Sequence, residues 1–145
     1  GGNSTTAGSK WQREIHFVED YRGCAAAGRR LFIDGERLFQ CSRYGTATHI
    51  LGLAAECAIK ECMDNLPGGD RELPHKHLPE LIDDAKLWLS GRRKSGMAQL
   101  LKKQSYMAGW RMENRYWPDE AFDEQSCQHH LHDARRTLYA GGISL

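Results

Sequence analysis

Glu56 and Lys60 stand four residues apart within residues 47–60, a stretch whose other side chains are mostly small or apolar. A carboxylate and an ammonium in that order can pair along one helix face. A solvated pair needs no apolar surroundings, and a core helix usually avoids both charges. The combination therefore reads as a polar cluster set into a packed helix. Gly52, Ala54, Ala55, Cys57 and Ala58 leave room for a second helix to approach closely. A second dense place is residues 110–117, where Trp110, Tyr116 and Trp117 accompany Arg111 and Arg115. Arginine stacked on an aromatic ring, or forked onto a carboxylate, suits a partly buried polar junction. Arg115 is accordingly the expected partner of Glu56.

Three further groups invite chemistry. Arg92, Arg93 and Lys94, followed by Lys102 and Lys103, form the densest basic cluster and could contact phosphates, although a solvated loop and helix face is the favoured account of them. The seven histidines include His75 with His77 and the run His129, His130, His132. Zinc-binding helices place ligands three or four apart with supporting Cys or carboxylates. His129 and His132 beside Asp133 are the best such pair, but no His-Glu-x-x-His occurs, so the histidines of the last helix read as its polar face and neither a metal nor any other cofactor is expected. There is no nucleophile elbow. Gly68-Gly69 lacks the Gly-Lys-Ser/Thr ending of a phosphate loop.

The elements that must position these groups are all helical. Ser9-Lys10-Trp11-Gln12 has the form of a capping box. Trp11, Ile15, Val18, Tyr21, Ala25, Phe32 and Phe39 then make one apolar stripe. Asp34-Gly35 is expected to break that stretch into two helices. Thr46 is expected to cap a helix from Ala47 to about Met63, which residues 65–70 end with turn formers. A third helix carries Leu78, Leu81, Ile82, Ala85 and Leu89, with Pro79 in its first turn. A fourth, with Met97, Leu100, Leu101 and Met107, runs toward Trp110. Pro118 takes the chain out of helix at Trp117. A last helix spans about Asp119 to Tyr139 and stops at Gly141-Gly142. β-Branched residues are few and nothing alternates strictly. The expected class is all-α, an up-and-down bundle of five to six helices. Residues 1–9 read as a flexible N-terminal segment and 10–145 as a single helical-bundle domain.

Composition narrows the partners. The chain has 20 basic and 19 acidic residues, so no global field draws in a polyanion, and such binding must come from a local patch. No apolar run approaches the roughly 18 residues of a membrane-spanning helix, and no membrane partner is expected. Five cysteines, an odd number without any Cys-x-x-Cys, read as reduced, buried thiols of a cytoplasmic protein.

Several of these stretches together resemble the HEPN family, small helical bundles of prokaryotic mobile elements and toxin-antitoxin systems. The resemblance is carried by Gly52-Leu-Ala-Ala-Glu56-Cys-Ala-Ile-Lys60, His77-Leu-Pro-Glu-Leu81, Gly109-Trp110 with Arg115-Tyr116, and Ala134 with Leu138 in the last helix. It spans roughly residues 15 to 140. Many such proteins are metal-independent ribonucleases with an Arg-x(4–6)-His motif near a dimer interface. Arginine then meets the phosphorane charge and histidine moves the proton of the 2′-hydroxyl. Here no histidine follows Arg115 at that interval, whereas Arg43 with His49 and Arg71 with His77 have the spacing. The resemblance thus implies a branch without the standard motif: a homodimer, with a possible cognate partner protein, that serves as an RNA- or nucleotide-binding accessory module. Its binding residues would be Glu56, Lys60, Arg115, Tyr116, Arg92, Arg93 and Lys94. One alternative is an active, toxin-like endoribonuclease that uses Arg115 or Arg43 with His49, or with one of His129, His130 and His132. The other is a purely structural protein-interaction module.

Overall fold

A computed structural model of the chain describes residues 23–68 and 71–145. The capping box at Ser9 and the stripe residues Trp11, Ile15, Val18 and Tyr21 lie outside the described residues. Five α-helices are described: α1 (Cys24–Gln40), α2 (Tyr44–Asp64), α3 (Glu80–Trp88), α4 (Gly96–Leu101) and α5 (Glu124–Ala140). Two single 3₁₀ turns, Met112–Tyr116 and Asp119–Ala121, precede α5. No strand occurs among the described residues, and the architecture is an all-helical bundle.

Small residues bring the long helices together. A Cβ at Gly28 would lie 3.1 Å from the Cys57 Cβ, and one at Gly35 would lie 2.8 Å from Leu51. As numbers rise along α1 they fall along α2, so this pair is antiparallel. Thr48 meets His130 and Ala58 meets Gly141, so α5 runs parallel to α2. Gly35 was expected to end a helix, yet α1 continues through it to Gln40. The gain from close approach to Leu51 outweighs the roughly 1 kcal/mol helix penalty of glycine. α2 begins at Tyr44, one turn earlier than expected, and Thr46 lies inside it without acting as a cap. Apolar side chains from every helix share one core, with Leu51, Ile59, Leu81, Leu101 and Leu138 fully buried.

The fourth helix stops at Leu101 and does not run to Trp110. Polar side chains of α5 explain why. The Asp133 carboxylate accepts the Met107 N–H at 2.8 Å, and Met107 takes a left-handed φ of 47°. Nε2 of His129 lies 2.8 Å from the Ser105 carbonyl, and Nε2 of His130 lies 2.8 Å from that of Ala108. Residues 105–108 thus form a turn, closed by the Ala108 N–H donating to the Ser105 carbonyl at 3.1 Å and tied to α5, and continued helix would forfeit the bonds to α5. α5 starts at Glu124, later than expected. Asp123 caps it by accepting the Ser126 N–H at 2.7 Å. Among the described residues no helix is long and apolar enough to cross a membrane.

Candidate functional site

Trp110 is the anchor from which the site is built. A Cβ at Gly52 would fall 1.9 Å from the indole Cε2, so only glycine leaves the seat on α2 that the ring occupies. The indole Nε1–H donates to the Thr48 carbonyl at 2.8 Å, and Trp110 is 2% exposed. With one end pinned, residues 111–117 run back over the N-terminal half of α2. The buried Asn114 holds the turn by donating from Nδ2 to the Gly109 carbonyl at 3.0 Å.

A cleft of about 350 Å³ lies between this segment and α2, lined by Gly45, Thr46, His49, Asn114, Arg115, Tyr116, Trp117, Asp119 and Phe122. His49 and Arg115, far apart in sequence, therefore face one space. The His49 ring lies parallel to Trp110 with centroids 6.2 Å apart. Its Nδ1 is buried without a partner, which leaves Nε2 as the nitrogen that can meet a ligand. Burial, and next the positive charge of Arg115, lower the His49 pKa below its ordinary value of 6.5. The imidazole is thus in its base form at neutral pH. The Arg115 guanidinium covers the Tyr116 ring at 4.6 Å and donates to the Tyr116 hydroxyl at 2.9 Å. Tyr116 is 76% exposed and Trp117 48% exposed, so two aromatic faces stand at the rim. Among the described residues Asn114 Oδ1 is the second buried side-chain atom without a partner, and both such atoms belong to residues of this cleft. Arg43 lines a smaller hollow of about 110 Å³ that shares Gly45, Thr46, Asp119 and Phe122 with it.

Glu56 takes another role than expected. It is 5% exposed, and its carboxylate accepts the Leu78 N–H at 2.9 Å and faces Nδ1 of His77 at 3.0 Å. Those bonds tie the entry of α3 to the middle of α2. Neither the expected Glu56–Arg115 pair nor a Glu56–Lys60 pair forms. The acceptor sites of Glu56 are used by His77 and Leu78, and Arg115 turns outward onto Tyr116. Lys60, half-buried one turn further on, lies near the Cys57 thiol. His77 itself lines a further cleft of about 270 Å³ on the other side of the 3₁₀ turn, with Leu78, Glu80, Arg111, Met112 and Glu113 among its walls.

The remaining candidates lie elsewhere. Arg92, Arg93 and Lys94 are exposed between α3 and α4 and line none of these clefts. Arg92 is in electrostatic reach of Cys62, about 20 Å along α2 from His49 at 1.5 Å per residue. No group of three or more His, Cys, Asp or Glu suited to a metal occurs among the described residues. His130 is buried, not on a polar face. It faces Thr48 Oγ1 at 3.3 Å and the Ala108 carbonyl at 2.8 Å, and burial lowers its pKa. Of the cysteines only Cys127 is buried, and Cys41 is exposed. Burial pushes the Cys57 thiol up to about 11 and raises Cys62 and Cys127, so none of these three is a thiolate nucleophile at neutral pH.

Asn114 and the His77–Glu56 contact are parts of the site that spacing did not single out. The signal for the latter was present in His77, the polar residue just ahead of Leu78-Pro79 at the entry to a helix. No family model, no curated protein and no solved structure matches this chain.

Proposed function

We propose that this chain is an HEPN-like helical module that binds single-stranded RNA in the cleft between α2 and residues 111–117. One observation carries the reading. The cleft joins an arginine without a carboxylate partner among the described residues, a histidine with a free ring nitrogen and two outward-facing aromatic rings. Aromatic faces stack on unpaired bases, and arginine neutralises the phosphate between them. The near-balanced charge of the chain agrees with recognition by a local site instead of a broad basic surface. A place in a mobile-element or toxin-antitoxin system, as a homodimer or with a cognate protein, follows from the resemblance and belongs to the same proposal. Glu56 supports the site from behind, and Lys60 and the basic loop at residues 92–94 are peripheral to it.

The test is binding of a fluorescein-labelled oligouridine across a salt series. Arg115→Ala should weaken binding and reduce the slope of log K against log salt by about 0.7, the value for one phosphate contact on a single strand. Trp117→Ala should cost about 1–3 kcal/mol with the slope unchanged. Salt-independent binding, or none at low salt, would remove the reading and leave the structural-module alternative.

A second reading is favoured by His49 and Arg115 sharing the cleft. His49, neutral at pH 7, could take the proton of a 2′-hydroxyl while Arg115 meets the charge that develops on the phosphorane. This metal-independent endoribonuclease would cleave single-stranded RNA in EDTA. His49→Gln and Arg115→Ala would each abolish the cleavage.

A further inference from the structure

His77 occupies a position that the cleft described above does not explain. Its Nδ1 lies 3.0 Å and 3.2 Å from the two carboxylate oxygens of Glu56, a buried side chain. A carboxylate can only accept, so Nδ1 carries the proton, and the hydrogen bond at one ring nitrogen sets the state of the other. Nε2 of the neutral ring is thereby fixed as an acceptor. The side chain is 49% exposed, and His77 lines the 270 Å³ cleft, whose far wall is Arg111, Met112 and Glu113. Arg111 forms no ion pair among the described residues.

Residues 111–113 wall this cleft and residues 114–117 wall the other, so one short segment divides them. Arg111, extended, directly precedes the 3₁₀ turn that carries Arg115. His49 is in electrostatic reach of both Arg115 and His77, which places the two clefts side by side. Glu80 and Glu113 on the walls of the His77 cleft oppose a doubly charged terminal phosphate. A phosphodiester carries one charge and suffers less. The geometry suits an internal nucleotide of a strand and not a free mononucleotide.

We propose that the His77 cleft is a second subsite of the same strand, in which Nε2 of His77 accepts the hydrogen bond of a ribose 2′-hydroxyl while Arg111 contacts the adjoining phosphodiester. This rests on the RNA reading and deepens it. Glu56 acts as a positioning residue that holds the imidazole in its accepting tautomer. DNA has no 2′-hydroxyl to offer, so this cleft makes the chain discriminate ribose from deoxyribose.

The experiment compares fluorescein-labelled oligouridine with oligodeoxyuridine of equal length, which differ only at the 2′ position. The wild-type chain should bind the ribo-oligomer about three- to tenfold more tightly, the worth of one hydrogen bond. His77→Leu should bring the two affinities together. Arg111→Ala should weaken both by the same factor and lower both salt slopes by about 0.7. Histidine long-range ¹⁵N–¹H spectra of the wild type should show His77 protonated at Nδ1, with Nε2 shifting on addition of oligouridine and not of its deoxy counterpart. Equal wild-type affinities, a ribose preference that survives His77→Leu, or a proton on Nε2 would each overturn the inference while RNA binding itself still stood. Failure to bind either oligomer would overturn the RNA reading as well.

Discussion

Gly52→Ala adds one methyl group to α2, and the structure makes its consequence large. The new Cβ would lie 1.9 Å from Cε2 and 2.1 Å from Nε1 of Trp110, against the roughly 3.5–4.0 Å of an ordinary carbon contact. The indole must retreat by about 1.5–2 Å. Overpacking of this kind costs about 1–3 kcal/mol. Losing the 2.8 Å bond from Nε1 to the Thr48 carbonyl costs about 0.5–1.5 kcal/mol more. Against this, alanine is a better helix former by about 0.5–1 kcal/mol. The clash wins, and a net loss of about 1–3 kcal/mol is expected. Urea unfolding would report it as a lower midpoint with an unchanged slope. Gly91→Ala, where no atom lies within 4 Å, is the control and should change little. In a Trp110→Ala background Gly52→Ala should become neutral or slightly stabilising, because its antagonist is gone. If the single variant is as stable as the wild type, or costs the same in both backgrounds, the indole is not seated on Gly52 and the site built from it fails.

Two further outcomes test the packing around the site. Burial lowers the pKa of His49 and of His130, so the unfolded chain binds protons more readily than the folded one. The stability they contribute is complete above their ordinary value of 6.5 and is lost as pH falls below it toward the lowered folded values. Thermal unfolding should therefore move to lower temperature between pH 7 and about pH 5, and less so in His130→Gln. Asp133→Ala removes the acceptor of the Met107 N–H and the carboxylate 3.2 Å from His129 Nε2, and should cost about 1–3 kcal/mol by denaturant titration, while Asp133→Asn should cost less.

The helical class was legible because the apolar stripes are long and helix-periodic. The small residues of α2 were rightly read as a surface for close packing. What spacing could not supply were partners distant in sequence. Gly35 is a breaker by propensity, and only the side chain of Leu51 opposite it reveals a contact glycine. Glu56 was legible as a buried charge. Its partner was not, because a backbone N–H at Leu78 competes for the carboxylate and leaves no trace in residue type. The histidines of α5 read as a polar face. His132 is exposed, but His129 and His130 face the carbonyls of Ser105 and Ala108, where an expected helix gives way to a turn. The pairing of His49 with Arg115 was within reach only as one of several options, since it depends on how far the chain from Trp110 folds back over α2.

That dependence ties stability to binding through a single ring, and Trp110→Phe separates the two. Phenylalanine keeps an aromatic body in the seat on Gly52 but has no N–H for the Thr48 carbonyl, which retains its place in the helix ladder. No buried acceptor is orphaned, so the cost from the bond is about 0.5–1.5 kcal/mol, with a modest addition for the smaller ring. The fold should persist. The segment that carries Arg111, Asn114 and Arg115 would lose its directional pin while keeping its apolar contact, and the guanidinium groups would no longer be held at fixed distances from His49 and His77. Oligouridine affinity should then fall by more than the stability loss alone explains, with the salt slope nearly unchanged because both arginines remain. If Trp110→Phe binds RNA as tightly as the wild type, the indole hydrogen bond does not set the register of the clefts. The positions of Arg111 and Arg115 would then have to come from the Asn114 contact to Gly109 alone.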